Sequence, residues 1–239
     1  MSYRRNKSKG NKLGLFIIIA VFILACSVFT FKVYLSNAKI EINNKTNCPI
    51  NGSPEYITII FDKSDAFNTV QQAFLKKFFR KMKSNLKTGA HVSMYIVNDK
   101  SVENISPDFV ICNPDDGESA NELYENKSLL NKRWHENFEV PLDGHIESFM
   151  EPSTSSISPI MEIFQIVALS TPSEAESRSK EIIIVSDMLQ HTDGWSHYKN
   201  SSNMGDFKNG KFFNRVKTDL HGAQVTILLV RRDGAEKIQ

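Results

Sequence analysis

The chain has 239 residues, 41% of them hydrophobic and 23% charged, which is enough apolar material for a core and too much for a disordered chain. The formal net charge of +2 hides an asymmetry, because Arg4, Arg5, Lys7, Lys9, Lys12 and Lys32 are the only charges before residue 36. Taking those six from the 29 bases leaves 23 against 27 acids, so the larger part is acidic and carries no nucleic-acid motif; it is not read as a nucleic-acid binder.

From Leu13 to Phe31 no charge interrupts a run dominated by Leu, Ile, Phe, Val and Ala. As a helix this run spans roughly 28 Å, close to the hydrocarbon thickness of a bilayer. We read residues 1–12 as a basic cytoplasmic tail and 13–35 as a transmembrane helix. Basic flanks stay on the cytoplasmic side, so this predicts a single-pass protein whose remainder is extracytoplasmic, periplasmic in a Gram-negative cell. A cleaved signal peptide is the competing reading. Its apolar region would be shorter, roughly 7–15 residues, and Leu24 suits a lipoprotein cleavage site at Ile23-Leu24-Ala25-Cys26 poorly.

Residues 36–54 are polar and rich in Asn, with Pro49, Gly52 and Pro54, and read as a linker. Three cysteines are too few for a disulfide scaffold. In an exported domain Cys48 and Cys112 can pair, the alternative being two separate buried thiols.

Residues 55–239 read as one α/β domain. Ile57 to Phe61 is a near-continuous apolar run, as in a strand covered on both faces, and it ends in Asp62, Ser64 and Asp65. Ser64 or Asp65 is placed to cap a helix to about Asn85. Its stripe Val70, Phe74, Phe78, Met82 is expected to pack on the sheet, with Lys76, Lys77, Arg80, Lys81 and Lys83 facing elsewhere. Strands follow at His91–Val97 and Asp108–Cys112. Residues 113–152 are irregular, with a helical stretch near Leu123 and a helix over Asp143–Met150. After the hydroxyl-rich Ser153–Ser158, Pro159 opens a helix through Ile160, Ile163, Phe164 and Val167. Glu181 to Asp187 repeats the apolar run ending in hydroxyl and carboxylate. Phe212–His221 reads as a helix and Val225–Val230 as the last strand. The alternation predicts a Rossmann-like three-layer domain with a mainly parallel central sheet flanked by helices.

In such sheets the ligand site lies beyond the carboxyl ends of the strands. Asp62, Ser64, Ser158 and Asp187 should meet there, with Asp65 and Ser155 as further candidates. An all-oxygen set suits a hard divalent cation such as Mg2+. This arrangement resembles the von Willebrand factor type A family. That family's metal-ion-dependent adhesion site combines Asp-x-Ser-x-Ser with a distant Thr and a distant Asp. Ser158-Pro159-Ile160 is similar to its Thr-Pro-Leu helix start, and Val185-Ser186-Asp187 to its Ser-Asp-Gly strand end. The resemblance implies an interaction domain that binds a protein partner through bound Mg2+. Two positions depart from the pattern: Ala66 stands where the second Ser belongs, and Met188 where Gly follows the Asp.

His191, Asp193 and His197 form a second cluster, without the motif spacing of a zinc site. No catalytic motif appears. The rival reading is an exported metal-dependent hydrolase or phosphatase using the same Asp cluster.

Overall fold

The structure is a computed structural model that describes residues 10–37, 41–43, 45–63, 66–98, 106–118, 120, 125–151, 155–170, 178–199 and 203–231. It divides into two compact units, Met1–Glu41 and Ile42–Gln239.

The first unit contains α1 (Gly10–Asn37), 28 residues without a break. Its stretch Gly14–Phe31 is long and apolar enough to cross a membrane, a property that a signal sequence shares. The hydroxyls inside this stretch stay within the helix. Ser27 donates to the Leu24 carbonyl and Thr30 to those of Cys26 and Ser27, so neither needs water.

The second unit is built on a mixed, mostly parallel sheet of five strands: β1 (Glu55–Asp62), β2 (His91–Val97), β3 (Phe109–Cys112), β4 (Ser179–Ser186) and β5 (Gln224–Leu229). The order across the sheet is β3-β2-β1-β4-β5, with only β3 antiparallel to its neighbour. β1 is central, and its alternate residues serve different cores. Ile57, Ile59 and Phe61 join Leu75 and Phe79 of α2 (Thr69–Asn85) and Leu142, Ile146 and Phe149 of α4 (Val140–Met150). Ile60 joins Ile160, Ile163 and Val167 of α5 (Ile160–Ser170). Two-sided burial explains why β1 reads as an apolar run rather than an alternation.

α2 departs from the expected start and face. Asn68 caps it, accepting from the Gln71 N–H, while the Gln71 side chain accepts from the Asn68 N–H. Ser64 and Asp65, expected as caps, lie outside the described residues. Its buried positions are Leu75, Phe79 and Lys83, whereas Val70 and Phe74 are exposed and Phe78 and Met82 only partly covered. Lys83, expected to face solvent, is buried and bonds Asp143 at 2.6 Å and Glu139 at 3.1 Å.

The irregular region is more helical than its sequence suggests. α3 (Lys127–Trp134), a π-helical turn (His135–Glu139) and α4 follow one another without interruption. Pro141 cannot donate to the carbonyl of Asn137 and its ring would crowd it, so a widened turn is where the strain is absorbed. The side chain of Asn47 approaches that carbonyl at 3.5 Å. The helix expected near Leu123 lies outside the described residues. The helix expected over 212–221 is shorter: α6 (Met204–Asn209) and α7 (Lys211–Val216) are separate, and a turn at His221 and Gly222 leads into β5.

The segment read as a linker partly belongs to the domain, because the compact unit begins at Ile42. Cys48 and Cys112 form a disulfide, Cys112 N–H donates to the Thr46 carbonyl, and Arg178 donates to the carbonyls of Gly52 and Ser53. A bridge across 64 residues removes unfolded-state entropy worth about 4 kcal/mol.

Two stability predictions follow from these contacts. Lys83→Ala should lower unfolding free energy in urea by about 2 kcal/mol, less than for a fully enclosed pair because both carboxylates keep contact with water. Burial acts to raise the Glu139 pKa, but hydrogen bonds and charge from His135 and Lys83 outweigh it and leave the carboxyl below its ordinary 4.5. That contribution is fully present above pH 4.5 and is lost as pH falls through the lowered value. Denaturation midpoints measured from pH 6 to pH 3 should therefore fall less steeply in Lys83→Ala than in the wild type.

Candidate site at the carboxyl ends of β1 and β4

In the order β3-β2-β1-β4-β5 the chain leaves β1 toward one side and later returns on the other. The crevice between the ends of β1 and β4 is thus the topological switch point, where open α/β sheets hold ligands. Asp62 ends β1 there with 4% of its surface exposed. Its Oδ2 accepts hydrogen bonds from Ser186 Oγ at 2.8 Å and Ser158 Oγ at 3.1 Å. Three separate segments therefore converge on one buried carboxylate oxygen, a charge-assisted arrangement stronger than a neutral one.

Of the expected residues, Asp62 and Ser158 meet directly. Asp187 is buried at the end of β4, and its Oδ1 accepts from Leu189 N–H within its own turn. Ser155 lies apart in the preceding loop, where its hydroxyl donates to the Ile157 carbonyl. Ser64 and Asp65 are outside the described residues. Met188 adopts φ 63°, a left-handed conformation that glycine takes without strain, and its N–H donates to Ser186 Oγ. The side chain at Met188 packs against the core on the α5 side.

Sequence reasoning missed Ser186 and Gln190. Ser186 stands in the strand end Val185-Ser186-Asp187, where nothing local marks its hydroxyl as a partner of Asp62. Gln190 had no local signal. It is 1% exposed, accepts from the Met161 N–H in the first turn of α5, and donates to Glu162 Oε2 at 2.7 Å. The loop after β4 thus supplies the helix cap that a local side chain would otherwise provide. Paired backbone bonds between Ser158 and His191 fasten the same loop to the strand-end site.

The second cluster divides its nitrogens. His197 Nδ1 accepts from Gln190 N–H, and His191 Nδ1 pairs with Ser196 Oγ at 2.8 Å. No group of three His, Cys, Asp or Glu side chains poised for a metal occurs among the described residues. At the strand ends the donors are carboxylate and hydroxyl oxygens, a hard set that suits Mg2+ better than zinc. A serine that gives its proton to a carboxylate keeps lone pairs for a cation; Ser158 has this geometry toward Asp62.

No protein-family model matches the chain, and no curated protein matches it.

Ser186→Ala should cost about 1–3 kcal/mol in urea unfolding, since it removes a buried charge-assisted bond and the acceptor of Met188 N–H. Ser155→Ala, confined to one loop, should cost about 0.5 kcal/mol or less. Burial lowers the pKa of His197 and also of His91 below 6.5. The neutral forms are therefore preferred in the fold; the stability they contribute is present above pH 6.5 and is lost as pH falls through the lowered values. Proton NMR titration of both imidazoles should give midpoints below 6.5.

Proposed function

We propose that this protein is a membrane-anchored interaction module that presents a Rossmann-like, von Willebrand factor type A-like domain outside the cytoplasm. The observation that carries this reading is the convergence of Ser158 and Ser186 on buried Asp62 at the switch point of a mostly parallel sheet. Partner recognition is assigned to the face around those strand ends. Asp62, Ser158 and Asp187, with Ser64, would hold a divalent cation there, and water would complete its shell. The cation would supply a positive centre for an acidic group of the partner.

Placement outside the cytoplasm draws on two independent features. The basic residues before the apolar helix favour a cytoplasmic amino terminus. The Cys48–Cys112 disulfide is of a kind that persists in oxidising compartments.

Calorimetric titration of Mg2+ into the full chain in lipid nanodiscs tests the cation. Saturable binding that Asp187→Ala and Asp62→Asn both abolish is the expected outcome. Absence of heat in the wild type would remove the cation from the proposal and leave the Asp62 cluster as a structural fastening. Alkaline phosphatase fused after Gln239 tests the topology: activity is expected, and an inactive fusion on an expressed protein would overturn it.

A further inference from the structure

β5 closes one side of the sheet and has no strand on its outer side among the described residues. The two edges of the sheet differ. β3 is four residues long, and the Cys112 N–H at its end donates to Thr46, in the segment that the disulfide fastens. β5 is six residues long, and from Ala223 to Val230 the chain has neither a charge nor a proline. Charges and prolines are the usual devices by which an edge strand discourages pairing.

Backbone direction picks out the residues on offer. The Val230 N–H donates inward, to the Ser186 carbonyl. Backbone groups alternate sides along a strand, so Thr226 and Leu228 also point to β4, while Val225, Ile227 and Leu229 turn their N–H and C=O groups outward. The side chains of these three register with Ile182, Ile184 and Ser186 of β4, on the α5 face of the sheet. There they are 39%, 50% and 52% exposed. On the opposite face an open apolar cavity of about 350 Å³ lies between the end of β5 and Val70 and Phe74 of α2, which are themselves exposed. This edge therefore presents unpaired backbone groups with bare apolar surface on both sides.

We propose that β5 pairs antiparallel with β5 of a second copy of this chain, joining the two sheets into one. The outward N–H and C=O groups call for a strand as the occupant. A second copy answers because the pattern is its own complement. With a two-fold axis at Ile227, that residue faces its equivalent, and Val225 of each copy faces Leu229 of the other. All three have outward backbone groups, so each opposed pair exchanges two hydrogen bonds, and the apolar side chains fall on one shared face. Arg231 falls opposite Ala223, so no like charges meet. A two-fold contact also closes on itself and uses up the open edge of both copies. The surface is separate from the Asp62 cluster, so the inference stands or falls apart from any bound cation.

The test is sedimentation of the full chain in detergent micelles, with far-UV circular dichroism to show that each variant keeps the fold. The wild type is expected to sediment as a dimer. Ile227→Lys sets two ammonium groups face to face and should weaken the dimer by about tenfold or more, while Leu169→Asp, exposed on α5, leaves it unchanged. Val225→Lys should weaken it likewise. Adding Leu229→Glu to the same chain should restore it, because those two positions oppose each other only across the two-fold axis. In a Cys26→Ala background, which removes the one free thiol among the described residues, Ile227→Cys should give a dimer with a short bismaleimide and Leu169→Cys should not. A wild-type monomer would overturn the proposal. So would a dimer indifferent to Ile227→Lys, as pairing through α1 would give, a failure of Leu229→Glu to rescue Val225→Lys, or no cross-link at Ile227→Cys.

Discussion

β1 is the middle one of three adjacent strands, β2, β1 and β4, that feed both cores. It hydrogen-bonds β2 on one side and β4 on the other, and Ile59, Ile60 and Phe61 have no exposed surface. A strand enclosed in this way cannot end in a charge unless that charge is satisfied locally, because desolvating a lone carboxylate is prohibitive. Asp62 meets this requirement through Ser158 and Ser186. The site is thus a consequence of where the strand stops. Hydroxyls come from the start of α5 and the end of β4 because those segments are the neighbours β1 has at that edge.

The same rule governs a second buried charge, that of Lys83. Lys83 lies at the end of α2 with its ammonium against Glu139 and Asp143, which ties the helix to the π turn and α4. Gln190 plays a comparable part on the opposite side, joining the loop after β4 to the first turn of α5. Each polar contact fixes the approach of one element to another, a job that apolar packing alone does less selectively. The disulfide adds a covalent restraint, holding the segment before β1 against the β3 edge of the sheet.

Much of the fold was legible because two-sided burial leaves a strong mark. The runs at Ile57–Phe61 and Glu181–Val185 located both central strands, and Pro159 marked the start of α5 to within a residue. Helices were harder. The π turn around Pro141 joins α3 to α4, a continuity that local rules count against. The stripe Val70, Phe74, Phe78, Met82 is genuine, but periodicity cannot say which of two apolar faces meets the sheet. Phe79 and Leu75 took that place, and Lys83 followed them inward because acids waited on α4.

At the site, Asp62 and Ser158 could be read from their positions at element ends. Ser186 also ends a strand, but its alternation phase does not tell that its hydroxyl turns to Asp62, and Gln190 lies in a loop with no local pattern. Sequence by itself determined the apolar amino-terminal helix, the alternation of strands and helices, and the oxygen-rich strand ends. These depend on composition and on periods of two to four residues. Tertiary structure decided which hydroxyls reach Asp62, that the Lys83 ammonium goes inside, and that Val70 and Phe74 are left facing water. Those outcomes depend on contacts between residues distant in the chain, and no local pattern encodes them.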